Sequence, residues 1–86
     1  MKKKEFLRLN SKWSLGYDNN QWILKRFRSP KWRDVSFVGS SKVVLMSVIE
    51  DHGITPTPSS WTMLKSLPDT FLEFYDKEKE NKDGGH

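Results

Sequence analysis

Cysteine is absent from this 86-residue chain, which removes disulfides, thiolate metal sites and a cysteine nucleophile. Histidine occurs only as His52 and His86, with no histidine–carboxylate spacing that a metal would need. Glu50 and Asp51 are consecutive, so from a helix they cannot both face one ion. A Gly-rich phosphate loop before a helix and a nucleophile elbow are also missing. His52 falls at the C-terminal end of a predicted helix, where the macrodipole favours it without any catalytic role. These absences set the expectation of a protein that is not an enzyme and uses no cofactor or metal. No apolar run approaches the roughly 20 residues of a membrane span, so no membrane partner is expected. Lys2, Lys3 and Lys4 make a basic start, but Phe6-Leu7-Arg8-Leu9-Asn10 supplies neither an uninterrupted apolar segment nor a small-residue cleavage site, and a cytoplasmic location is expected.

Aromatics are plentiful. Four Trp, five Phe and two Tyr make up 13% of the chain, and their large buried areas compensate for a length at which a single core is only just sufficient. The formal net charge of +4 is unevenly spread: residues 1–34 carry +7 and residues 35–86 carry −3. That split points to one electropositive face, although Lys and Arg also serve on solvated sheets to discourage edge pairing.

The order of elements follows from periodicity. Glu5–Leu9 reads as a first strand. In Lys12–Tyr17, Trp13, Leu15 and Tyr17 alternate, which is a strand period. Asp18-Asn19-Asn20 is a turn signal, because Asn and Asp tolerate positive φ and bond their own backbone. Gln21–Arg28 is the next strand, with Trp22, Leu24, Arg26 and Arg28 on one face and Ile23, Lys25 and Phe27 on the other. Pro30 marks a turn into Lys31–Val38, where Arg33, Val35 and Phe37 alternate against Trp32, Asp34, Ser36 and Val38. After Gly39, Ser40 or Ser41 caps a helix with Val44, Leu45, Val48 and Ile49 at helical spacing, running to about His52. Gly53 and Ile54 then fit a Schellman ending. Thr55-Pro56-Thr57-Pro58 is an extended spacer. Ser59 or Ser60 caps a short helix carrying Trp61, Leu64 and Leu67, and a third helical segment starts near Pro68 or Asp69 with Phe71, Leu72, Phe74 and Tyr75.

The expected fold is α+β: an antiparallel meander of three to four strands packed on one main helix, with one or two short C-terminal helices. A single domain spans residues 1–78, and residues 79–86 read as a disordered polar tail. The expected core contains Trp13, Leu15, Trp22, Leu24, Val35, Phe37, Leu45, Val48, Ile49, Leu64, Leu67 and Phe71.

Candidate binding residues are the cations Lys25, Arg26, Arg28, Lys31 and Arg33, on the tip and flanks of the second hairpin. Between Gln21 and Arg33 there are five basic residues and no acid, which suits a polyanion and makes nucleic acid the leading partner. Trp13, Trp22, Trp32 and Trp61 can stack on bases, yet in so short a chain most of them are needed as core or core rim. An alternative partner is a protein, for which Trp61, Phe74 and Tyr75 would form an exposed apolar patch on the C-terminal helices.

Gln21-Trp22-Ile23-Leu24, the basic residues after it, Trp32-Arg33, Val35-Ser36-Phe37 and the Ser-started helix resemble small uncharacterised phage and prophage proteins, over residues 15–54. Leu67-Pro68-Asp69-Thr70-Phe71 is familiar from the same group. The activity of those relatives is generally unassigned; the resemblance implies a phage-type accessory protein in the host bacterial cytoplasm, for which the basic hairpin suggests nucleic acid as partner, the alternative being a host complex that the protein inhibits or redirects. Three strands followed by a helix is also similar to the DNA-binding domains of plant ethylene-response factors and the arm-binding domains of tyrosine recombinases, whose sheet enters the major groove. The chain lacks the diagnostic sequence patterns of both, so that likeness is one of architecture.

Overall fold

The computed structural model describes residues 4–84. Lys4–Arg8 (β1), Trp13–Tyr17 (β2), Trp22–Arg28 (β3) and Lys31–Val38 (β4) form one antiparallel sheet in the order β1-β2-β3-β4. Three helices follow, Lys42–Asp51 (α1), Pro58–Lys65 (α2) and Phe71–Gly84 (α3). The class is therefore α+β, a four-stranded meander with its helices.

Side chains close the first two turns. Asn10 Oδ1 accepts from the Lys12 and Trp13 N–H groups at 2.8 and 2.9 Å. Asp18 Oδ1 does the same for Asn20 and Gln21 at 2.8 and 3.0 Å. No described non-glycine residue has positive φ, so of the two mechanisms open to this turn only backbone bonding operates. The third turn is the two-residue Ser29-Pro30 connection, with a cis peptide bond.

All three helices pack on one side of the sheet. There Leu15, Tyr17, Trp22, Leu24 and Val38 meet Leu45, Ile49, Leu64, Leu67, Phe71 and Phe74. Trp22 sits edge-on to Phe71, with ring centroids 5.3 Å apart at 85°. Trp13 and Val48, expected in the core, lie half-buried at its rim. Val35 and Phe37 are not in the core at all; Phe37 is 53% exposed. The cause is a bulge: Leu24 pairs with Ser36 but Lys25 pairs with Asp34, leaving Val35 as the extra residue. Such an insertion shifts the side-chain period, and Val38 fills the core position instead.

α1 keeps both expected ends. Ser41 Oγ accepts from the Val44 N–H at 3.3 Å. At the other end Gly53, with φ 68°, donates to Glu50 O at 2.9 Å and Ile54 donates to Ile49 O at 3.2 Å, the two bonds of a Schellman motif. α2 differs at its start. Its cap is Thr57, whose Oγ1 accepts from the Ser60 N–H at 3.2 Å, not Ser59 or Ser60. Pro58 belongs at the first helical position because its missing N–H costs nothing there, and this moves the cap back. Ser60 is then buried, and its hydroxyl donates to the Arg8 carbonyl. Lys42 Nζ donates to the Lys65 and Leu67 carbonyls at 3.0 and 2.9 Å, closing the C-terminal end of α2. An isolated bridge between Ser41 and Thr70 ties the starts of α1 and α3 together.

α3 continues to Gly84, so the segment read as a disordered tail from residue 79 is helical as far as it is described. Gly85 and His86 lie outside the described residues. Glu and Lys are strong helix formers, and Lys79 Nζ approaches the Tyr75 ring to 5.8 Å. Among the described side chains, the last tie from α3 to the sheet runs through Tyr17: burial, then the nearby Glu78 carboxylate and Tyr75, push its hydroxyl pKa above the ordinary tyrosine value. Removing residues 80–86 is therefore expected to leave the melting temperature almost unchanged. A fall of several degrees, the shift for about 1 kcal/mol in a domain of this size, would show that the end of α3 is docked.

Candidate functional site

The β3–β4 hairpin carries its charge on a definite side. Pairing sets Arg26 opposite Arg33 and Arg28 opposite Lys31. Arg26 is also opposite Trp13 and places its guanidinium 5.5 Å from that ring. Trp13 belongs to the rim of the core, so alternation puts all four cations on the helix side, beyond the end of the packed region. Arg28, Lys31 and Arg33 are exposed and Arg26 is half-buried. Among the described residues none of the four makes an ion pair. Like charges directly opposite on a sheet are destabilising, and here two such pairs stand side by side.

Lys25 does not join them. It lies on the other side, paired with Asp34, the only acid of the hairpin, at 3.9 Å. Of the five cations expected to act together, four are assembled and one is separated.

The side of the sheet away from the helices has its own character. Phe27 and Trp32 pair with centroids 5.2 Å apart. The Arg8 guanidinium reaches across from β1 to lie 4.6 Å from the Trp32 ring centre, while its Nε holds Glu5 at 3.3 Å. Phe37 pairs with Ile23, which is fully buried. Arg8, Ser14 and Lys25 form a row across three strands, and the Ser14 hydroxyl is buried with no hydrogen-bond partner among the described residues. Arg8 and Phe27 were not among the residues singled out from sequence, and Phe37 was expected in the core. The Phe27–Trp32 pair was nevertheless legible, because a two-residue loop at Ser29-Pro30 fixes that register.

The alternative apolar patch does not exist as expected. Phe74 is 2% exposed, at the centre of the aromatic core, and Tyr75 is half-buried against Phe71. Phe71, Phe74 and Tyr75 turn the same stripe of α3 inward, which a helix requires when that stripe is its only anchor. Trp61 is exposed, and it lines a shallow groove of about 390 Å³ with Val43, Met46 and Ile49 of α1.

His52 caps α1, with Nε2 3.1 Å from Ser36 Oγ and its ring 5.5 Å from Trp13. Among the described residues no group of three or more His, Cys, Asp or Glu side chains gathers as a metal would need, and no helix is long and apolar enough to cross a membrane. No family model, curated protein or solved structure matches the chain.

Proposed function

We propose that this protein binds nucleic acid through the β3–β4 hairpin, as an accessory protein of the phage type its sequence resembles, working in a bacterial cytoplasm. The observation that carries the reading is the block Arg26, Arg28, Lys31 and Arg33, two like-charged cross-strand pairs on one side with the hairpin's acid on the other. A fold gains nothing from that arrangement by itself. A phosphate backbone offsets the repulsion and releases counterions as it binds. Binding measured by fluorescence anisotropy should fall steeply with salt. Changing Arg26, Arg28 and Lys31 together to Ala should flatten the plot of log K against log salt by roughly two to three units for duplex DNA. No binding at low salt by the unaltered protein would remove the proposal.

A second reading has its own support. The groove between α1 and α2, with Val43 and Trp61 exposed along it, suits a protein partner, since Trp dominates interface energies. In this reading the chain docks on a bacterial host complex and inhibits or redirects it. A stoichiometric host partner that is retained after nuclease treatment and lost with Trp61→Ser would favour it.

A further inference from the structure

We infer that the nucleic acid is single-stranded and that its bases stack on the side of the sheet away from the helices, on Phe27, Trp32 with Arg8, and Phe37. This rests on the nucleic-acid reading above and adds to it the kind of strand and the mode of recognition. All three helices contribute to the cluster on the other side, so the flat rings on this side have no layer above them among the described residues. Two platforms result. One is the Phe27–Trp32 pair with the Arg8 guanidinium lying over Trp32; a guanidinium plane with one face on a ring and the other open accepts a base as an aromatic ring does. The second is Phe37, exposed beside its cross-strand partner, the buried Ile23. Phe27 and Ile23 are four residues apart on β3, roughly 13 Å along the strand, a separation that suits different nucleotides of one chain rather than one ligand.

The charge fits the same occupant. Arg8 and Lys25 stand at the ends of a row across β1, β2 and β3 on this side, so cationic donors lie beside the rings. The tip cations Arg28 and Lys31 are exposed at the end of the same ribbon. Aromatic rings set beside cations are the pattern by which proteins hold single strands without reading their sequence, because every base has a π-face. A base pair inside a duplex does not offer that face.

The test uses the intact protein at low salt with three probes of equal length: a single strand, a duplex, and a single strand whose sugars carry no bases. The single strand should bind most tightly, and the abasic strand roughly tenfold or more weaker. Tryptophan fluorescence should be quenched by the single strand and not by the abasic one, which needs no variant. Replacing Phe27 and Phe37 by Leu keeps apolar area but removes the flat rings; single-strand affinity should drop roughly tenfold while the salt slope and the duplex affinity hold. Equal binding of abasic and ordinary strands, duplex binding tighter than single-strand binding, or a folded double variant with unchanged single-strand affinity would each overturn this inference and leave the nucleic-acid reading intact. Failure of all three probes to bind would overturn both.

Discussion

Replacing Phe74 by Ala should destabilise the protein by about 3–5 kcal/mol, read as a fall in the urea midpoint at constant slope. Its ring lies 5.0 Å from Phe6, 5.1 Å from Tyr17, 5.6 Å from Trp22 and 5.8 Å from Phe71, centroid to centroid. These contacts join β1, β2 and β3 to α3, so the cavity left by truncation cannot be closed by moving one element. Domains of this kind are held by only about 5–15 kcal/mol in total, and the variant should be substantially unfolded at modest temperature. The result also separates two roles for this residue. A side chain that serves to dock a partner loses binding on truncation and leaves stability alone; a core side chain does the reverse.

Arg33→Glu should move stability and binding in opposite directions. Opposite Arg26, the new carboxylate replaces a like-charged pair with an opposite one, and each such pair contributes roughly 0.2–1 kcal/mol. The melting temperature should rise by a few degrees. Nucleic-acid affinity should fall roughly tenfold, since a phosphate contact is lost and a repulsive charge stands in its place. Most surface changes that harm binding are neutral or harmful to stability as well. A substitution that stabilises the hairpin while disabling it would mark Arg33 as kept for its partner. Unchanged affinity would place the contact elsewhere, and a lower melting temperature would show that the cation block is not under strain.

Much of the fold was legible because local chemistry was consistent with it. Trp13, Leu15 and Tyr17 at period two, Ser41 before a helical apolar stripe and Gly53 after it each specify one local structure, and each is found. Strand β4 was misread in facing, although its limits were right. Alternation carried through Lys31–Val38 puts Val35 and Phe37 inward, whereas the bulge at Val35 makes odd positions face the helices before it and even positions after it. Period two has no symbol for an inserted residue. The cation block lies on the turn side of the bulge, so it is the two-residue Ser29-Pro30 loop that sets Arg26 opposite Arg33 and Lys25 opposite Asp34. Phe74 was misplaced for a different reason. Its stripe reads the same whether it faces a core or a partner, and only the shortage of other anchors on α3 decides between them. The approach of Arg8 to Trp32 joins the first and last of four strands, a distance across which sequence spacing carries no information.

The direction of α1 bears on how the four cations tolerate one another. Its C-terminal residue His52 touches Trp13, and Trp13 in turn touches Arg26, so the helix points its carbonyl end towards the block. That end behaves as about half a negative charge. It is built from peptide units and has no proton to gain or lose, so it acts as a counter-charge that persists at every pH at which the helix stands. The hairpin can therefore hold its arginines close together, ready for a partner, with no ion pair among the described residues that would have to be displaced first.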